Sequence, residues 1–195
     1  MVPSSTPALV LASASPRRQE LLARLGIPFT VQPSRIPEIH PPGPHAQAVA
    51  AVALDKARAV ASRWTAGAAI VLGADTEVVL EGRYLGKPRD AADAIRMLHE
   101  LSGRTHEVIT GVALVAAPSG REETAAVITL VTMVTASDEE IAAYVATGEP
   151  LDKAGAYAVQ GLGARLVAHV DGCLTNVIGL PVETTRRLLA RCGLL

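Results

Sequence analysis

The sequence is poor in aromatics, cysteine and net charge, and each shortage removes a class of explanation. Only five aromatic residues occur (Phe29, Trp64, Tyr84, Tyr144 and Tyr157), too few for a platform on which single-stranded bases stack. Eighteen basic against nineteen acidic residues leave a formal charge of −1. No general field therefore draws the chain to nucleic acid or a membrane surface, and any anion site must be local. Cys173 and Cys192 fit no CxxC spacing, so free, partly buried thiols are expected rather than zinc ligands or a redox pair. No apolar run approaches the ~20 residues of a membrane span. The stretch from Met1 to Pro16 has no basic flank, and Ala8 to Ala12 is too short for a signal-peptide core. A cytoplasmic location is expected. GxxxxGK[ST], HExxH and GxSxG motifs are missing, and Gly161-Leu162-Gly163 lacks the third glycine of a dinucleotide fingerprint. The five histidines (His40, His45, His99, His106 and His169) are scattered without metal-ligand spacing, which suits surface or supporting positions.

What remains is a hydrophobic content of 49% in 195 residues, enough to exclude disorder and to build a core in one domain or two small lobes sharing a core. Ala8 to Ala12 reads as a short buried strand. It leads through Ser13-Ala14 to a helix with Ser15 as N-cap, Pro16 in its first position and Gly26 as its stop. The prolines from Pro28 to Pro44 indicate an ordered loop, and His45 to Trp64 an Ala-rich helix. Ala69 to Leu72 reads as a second buried strand ending at Gly73-Ala74-Asp75-Thr76, followed by a hairpin turning at Glu81-Gly82. Asp90 caps a helix burying Ala94, Ile95, Leu98 and Leu101. The runs Val108 to Ala116 and Ala125 to Val134 suggest an antiparallel pair, and Ser137 to Glu140 a capping box. Strand-like pieces follow near Tyr157 and from Leu166 to Val170, and Pro181 starts a last helix. Strands interleaved with helices imply an α/β fold with a mixed sheet.

The most informative segment is Ser13-Ala14-Ser15-Pro16-Arg17-Arg18. A helix start carries a partial positive charge on its unpaired N–H groups, and acids are favoured there. This sequence puts two arginines in that turn, a local cost that a bound anion would reverse. Hydroxyls, N–H groups and guanidiniums make a phosphate cradle; a solvated basic turn is the alternative. Asp75, after a strand and among small residues, could hold a divalent cation, orient water or cap a turn. Lys56 most simply belongs to the solvated face of its helix, and Lys87 and Lys153 to the exposed surface.

In order, LASASPRR (Leu11 to Arg18), GADTEV (Gly73 to Val78), LGKP (Leu85 to Pro88), LSGRTHEVITGV (Leu101 to Val112), GEPLDKAGAYAVQG (Gly148 to Gly161) and NVIGLP (Asn176 to Pro181) resemble the Maf family of nucleotide pyrophosphatases. The resemblance runs nearly end to end, as one Maf-like domain over residues 1–195, and GEPLDKAGAYAVQG looks like the branch acting on dTTP and UTP. It implies an elongated mixed β-sheet with flanking helices and a central cleft between two lobes, and a homodimer, common among members. The implied reaction is hydrolysis of a nucleoside triphosphate, modified pyrimidine nucleotides included, to the monophosphate and pyrophosphate in nucleotide-pool house-cleaning. By this resemblance Asp75 is the catalytic acidic residue and proton acceptor. Ser13, Arg17, Arg18, Lys56, Thr76, Lys87 and Gln160 bind substrate, and Arg17, Thr76 and Gln160 match positions tied to its choice. Glu38 and Asp75 would hold a divalent cation, Mg²⁺ or Mn²⁺. Two departures stand out: Pro37 precedes Glu38 where many members have a second acid, and Cys173-Leu174-Thr175 replaces aromatics before NVIGLP. The alternatives are a nucleotide-binding regulator of septum formation without turnover and a phosphotransferase. Asp75 with Glu38 discriminates against the first, because binding alone has little use for paired carboxylates beside a polyanion.

Overall fold

Apolar, β-branched runs become strands and Ala- and Leu-rich stretches become helices in the computed structural model, which describes residues 6–195; the first five residues of the stretch weighed as a leader lie outside the described residues. The order is β1 (Ala8–Leu11), α1 (Pro16–Ala23), β2 (Phe29–Val31), α2 (His45–Ala61), β3 (Ala69–Leu80), β4 (Arg83–Tyr84) and α3 (Ala91–Leu101). Then come β5 (Thr105–Ala117), β6 (Glu122–Met133), α4 (Asp138–Ala146), β7 (Val167–Asp171), α5 (Leu174–Ile178) and α6 (Val182–Arg191). Three 3-10 turns, Glu149–Asp152, Ala154–Ala156 and Gly161–Leu166, lie between α4 and β7.

The seven strands form one mixed sheet in the order β2-β1-β3-β5-β6-β7, with β4 paired to β3. Strand β1 is parallel to both neighbours, Leu11 lying opposite Val31 and Leu72. The β3–β4 hairpin turns at Glu81-Gly82 as expected, with Val79 opposite Tyr84. β5 and β6 are adjacent and joined by too short a loop for a crossover, so they run antiparallel. β7 is antiparallel to β6, with an irregularity between Thr132 and Met133. No helix among the described residues is long and apolar enough to cross a membrane.

The chain divides into two compact units, Met1–Asp75 with Thr110–Val127 and Gly179–Leu195, and Thr76–Ile109 with Ile128–Ile178. Each has its own core. In the first, Val10, Ala12 and Val71 pack with Ala53, Ala57 and Val60 of α2 and with Ala113 and Val115. In the second, Val78, Leu80, Leu98, Leu101, Val131, Tyr144 and Leu166 come together. The second core also encloses His106, a histidine placed at the surface or in support by the sequence. It is 2% exposed and its Nε2 lies 2.8 Å from the Tyr157 hydroxyl; burial pushes its pKa down to about 4, so the ring is neutral.

Caps fall where the sequence puts them: Ser15 accepts from the Arg18 N–H, Asp90 from the Asp93 N–H, and Ser137 with Glu140 closes a capping box. Three expectations are corrected. The segment around Tyr157 is not a strand; it lies between two 3-10 turns, since glycines at 155, 161 and 163 favour turns over a ladder. Phe29–Val31 forms a short strand inside the proline-rich stretch by pairing with β1. Strand β3 does not end at Gly73 but runs on to Leu80, putting Asp75 in mid-strand.

Gly73 is a point of close approach. A Cβ there would lie 2.1 Å from the Ala53 carbonyl oxygen and 2.9 Å from the Ala57 nitrogen, and one at Gly111 would lie 2.6 Å from the Ala50 Cα. Helix α2 therefore rests on the backbone of β3 and β5, its small residues meeting two glycines. Gly73→Ala is expected to force the helix off the strand at a cost of about 1–3 kcal/mol, the usual range for overpacking. A lower urea midpoint at unchanged m-value would record this; an unmoved midpoint would refute the close-packing role.

Candidate active site

The loop after β1 and the start of α1 are wired from their own side chains. Ser13 Oγ accepts from the Ser15 N–H at 3.3 Å and from Arg18 Nη1 at 3.2 Å, and Arg18 Nε donates to the Gly179 carbonyl at 2.9 Å. Arg18 thus joins the first turn of α1 to the segment before α6. Arg17 sits half-buried in the same turn, which contains no acidic residue. The concentration of positive charge expected at this helix start is present.

A second cluster forms where α2 approaches β3. Lys56, expected on the solvated face of its helix, is instead only 4% exposed. The small side chains of Ala53 and Ala57 and the bare Gly73 bring α2 close to β3. From there Lys56 Nζ donates to Asp75 Oδ1 at 2.7 Å and to Glu38 Oε1 at 2.5 Å. His40 Nε2 lies 2.9 Å from the other Asp75 oxygen. Asp75 is 2% exposed. Burial pushes its pKa up, but Lys56, through charge and hydrogen bond, outweighs this with help from His40 and the Arg18 charge, and the carboxyl stays below its usual range. Asp75 is therefore an ionised carboxylate held in a buried place.

Ser13, Arg17, Arg18, Glu38, Lys56 and Asp75 all belong to the first unit, while Thr76, Lys87 and Gln160 belong to the second. Thr76 follows Asp75 on β3 and so points to the opposite face of the sheet. Lys87 is exposed, in a segment anchored by the Gly155 N–H, which donates to the Leu85 and Gly86 carbonyls at 2.7 and 3.1 Å. Gln160 is exposed at the head of the Gly161–Leu166 turn. Lys153, read as a surface cation, is spent locally on the Glu149 carbonyl at 2.5 Å and on Asp152 Oδ1 at 2.6 Å.

Sequence reasoning overlooked two residues at this cluster. His40, Asp75 and Glu77 each offer one ligand atom, and these atoms lie within 4.8 Å of one another. Both omissions follow a period of two: Asp75 and Glu77 share a face once β3 is read through Gly73, and Glu38 and His40 alternate around Ile39, which is 74% exposed. One nitrogen and two carboxylates fit a divalent cation. The pair implied by the resemblance, Glu38 with Asp75, has the Lys56 ammonium between its members. The trio with Glu77 offers a second candidate donor set.

An arginine-bearing helix start and a buried, ionised carboxylate, carried on a mixed α/β sheet, define a protein equipped for phosphate chemistry. Comparison with known proteins gives the family. The chain belongs to the Maf family: the family model described as Maf-like protein matches residues 8–192. It is 60% identical over 186 residues to the dTTP/UTP pyrophosphatase of Moorella thermoacetica, covering 95% of each chain. To the dTTP/UTP pyrophosphatase of Myxococcus xanthus it is 55% identical over 188 residues, 95% of this chain and 93% of that one. A solved nucleoside-triphosphatase / dITP/XTP pyrophosphatase from Mycobacterium abscessus aligns with 96% of this chain and 98% of its own at 18% identity and a TM-score of 0.43.

Removing the ammonium tests the cluster. Lys56→Met leaves Asp75 buried without its main cation, and a loss of about 3–5 kcal/mol at pH 7 is expected for breaking a buried pair. The folded-state pKa of Asp75 is depressed in the parent. Its contribution is thus present above the unfolded-state value and lost as the pH falls through the folded one. In the variant the same carboxyl is raised by burial. The stability gap between the two proteins should shrink as the pH falls from 7 toward 3. Urea titrations across that range check it, and a gap independent of pH would exclude the Lys56–Asp75 pair as its source.

Proposed function

We propose that this chain is a nucleoside triphosphate pyrophosphatase that hydrolyses dTTP and UTP to the monophosphate and pyrophosphate. The observation that carries the reading is Asp75, a carboxylate kept ionised in a buried position by Lys56 and His40. A site that only bound nucleotide would have little use for a buried negative charge, whereas a group that must accept a proton from water needs it. The names of the relatives at 60% and 55% identity support the same reaction and the same substrates.

A triphosphate brings about four negative charges, so attack at the α-phosphate needs cations along the chain and at the leaving pyrophosphate. Arg17, Arg18 and the Ser13 hydroxyl at the head of α1 serve the phosphates, with Lys87 as a further cation. Lys56 orients Asp75 and holds its charge. Asp75 accepts the proton of the attacking water through a lone pair not taken by Lys56 or His40. A divalent cation, Mg²⁺ or Mn²⁺, when held by Asp75, Glu77 and His40, would polarise a phosphoryl oxygen and offset the charge of the leaving group.

The base falls to Gln160, with Thr76 and Arg17 contributing to substrate choice. A uracil or thymine edge presents an N3–H donor beside an O4 acceptor, and a glutamine amide offers the complementary oxygen and NH₂. Cytosine reverses the pattern, and a flipped amide would accept it. Discrimination therefore requires the amide to be held one way round.

Pyrophosphate, not orthophosphate, should appear first from dTTP and UTP, and EDTA should abolish the rate. Asp75→Asn should lower kcat by roughly 10²–10⁴, the span for losing a positioned general base, while nucleotide binding survives. Orthophosphate as first product, or near-parental turnover in the variant, would sink the mechanism. Gln160→Glu should cost dTTP and UTP roughly ten- to a hundredfold in kcat/KM and CTP less. Steady-state rates on the three nucleotides decide this: an unchanged UTP-to-CTP ratio removes Gln160 as the base reader.

A further inference from the structure

Gln160 heads a 3-10 turn without capping it. A Ser, Thr, Asp or Asn at that position turns its side chain back onto the second or third N–H group of the helix it starts, and Gln160 makes no such bond. Those N–H groups belong to Leu162 and Gly163, and Glu149 takes both: Leu162 N–H donates to Oε2 at 3.0 Å and Gly163 N–H to Oε1 at 2.9 Å. A carboxylate from another segment thus does the work of the cap, with the sign a helix start favours, and the Gln160 amide is left for other partners.

The same carboxylate is fixed from behind. The Tyr144 hydroxyl donates to Glu149 Oε1 at 3.0 Å and accepts from the Ala158 N–H at 3.2 Å. Tyr144 is fully buried in the second core, so this anchor does not drift. Gln160 therefore stands on a short arch with one foot, Ala158, on Tyr144 and the other, Leu162 and Gly163, on Glu149. Burial pushes the Glu149 pKa up, and the two N–H groups, the Tyr144 hydroxyl and the Lys153 charge more than offset it, so the clamp is ionised. The fit is tight: at Gly161, where φ is +70°, a Cβ would lie 2.7 Å from Glu149 Oε2.

We infer that Glu149, backed by Tyr144, is a positioning residue that fixes the backbone from which Gln160 reaches the base and so sets discrimination among pyrimidine bases. This rests on the reading of Gln160 as the base reader. Glu149 touches no substrate; it acts by holding the arch, and where the Gln160 amide meets the base edge depends on it. In Glu149→Gln one N–H faces an amide NH₂ instead of an oxygen, and in Tyr144→Phe the Ala158 foot and the support of Oε1 are both lost.

The test uses the full chain, with kcat and KM measured separately for UTP and CTP. Glu149→Gln, Tyr144→Phe and Gly161→Ala are each made alone and on a Gln160→Ala background. The UTP-to-CTP ratio of kcat/KM is expected to fall about three- to tenfold in each single variant, the worth of a hydrogen bond that no longer holds its geometry, mainly through KM for UTP. On the Gln160→Ala background no further fall is expected, because there is no amide left to place. Amide exchange at Leu162 and Gly163 should quicken in Glu149→Gln. A ratio that holds while those amides exchange faster overturns the proposal, as does a fall of equal size on both backgrounds, the mark of a scaffold effect. If Gln160→Ala by itself leaves the ratio unchanged, the base-reading role is what fails, and the positioning role fails with it. If Glu149→Gln or Tyr144→Phe does not fold, Gly161→Ala, on the exposed turn, decides by the same ratio.

Discussion

The contact between the Lys56 ammonium and the Asp75 carboxylate is the constraint around which the first unit is arranged. Two opposite charges, each almost wholly removed from solvent, stand 2.7 Å apart. Desolvating either alone would cost several kcal/mol, and their attraction offsets that cost only with short distances and satisfied remaining valences. Both conditions are met locally. The second Asp75 oxygen has His40, and the ammonium has Glu38 as a second acceptor. The distance is set by backbone geometry: α2 can bring Lys56 this near β3 only because Gly73 offers no Cβ where the helix passes. A packing feature of the core thereby decides the ionisation state of a carboxylate.

The long motifs of this chain contain many residues that bind one another. Arg18 spends Nε on the Gly179 carbonyl, which ties the first motif to the last. The Gly155 N–H holds the Leu85 and Gly86 carbonyls, and so the segment carrying Lys87 is anchored by the motif that carries Gln160. Asp93, held ionised by hydrogen bonds from Arg89 and Arg96, fixes the chain just after Lys87-Pro88 by accepting from the Arg89 N–H at 3.1 Å. Much of the patterning around the candidate substrate residues is thus internal wiring that sets where a few exposed side chains begin.

What was legible in the sequence divides along physical lines. Caps and the Glu81-Gly82 turn depend on residues within a few positions of one another, and they stand where local chemistry puts them. Gly73 misled because glycine weakens a strand when judged locally, while here a tertiary contact with α2 requires it. That one misreading hid Glu77, which shares a face with Asp75 only if the strand continues. Lys56 misled for the converse reason: a lysine on an Ala-rich helix is ordinarily solvated, and only the approach of β3 turns its position into a buried one. His40 lay in a proline-rich loop whose extended course gives the alternation of Glu38 and His40, and loop courses are set by what they pack on. The family resemblance supplied what local reading could not, the association of Lys56, Glu38 and Asp75 across distant segments.

The charge pattern bears on whether such a site turns substrate over or only holds it. A receptor for a polyanion is best built from cations and N–H donors alone, since every carboxylate nearby repels the ligand. This chain has the cations, at the start of α1, but it also places three carboxylates, Glu38, Asp75 and Glu77, close to Lys56 or His40 and keeps Asp75 ionised against its burial. For a polyanion bound beside them, such carboxylates would lower affinity for the ground state. They become useful when a proton must leave a water molecule, or when a divalent cation must share a site with the phosphates, because each then interacts with the carboxylates more favourably as the reaction advances. Interactions that strengthen only on the way to the transition state accelerate chemistry, while those equal in both states merely bind. In the proposed mechanism the carboxylates of this cluster fall in the first group and the arginines of α1 largely in the second. Both are needed for hydrolysis, and only the second for binding.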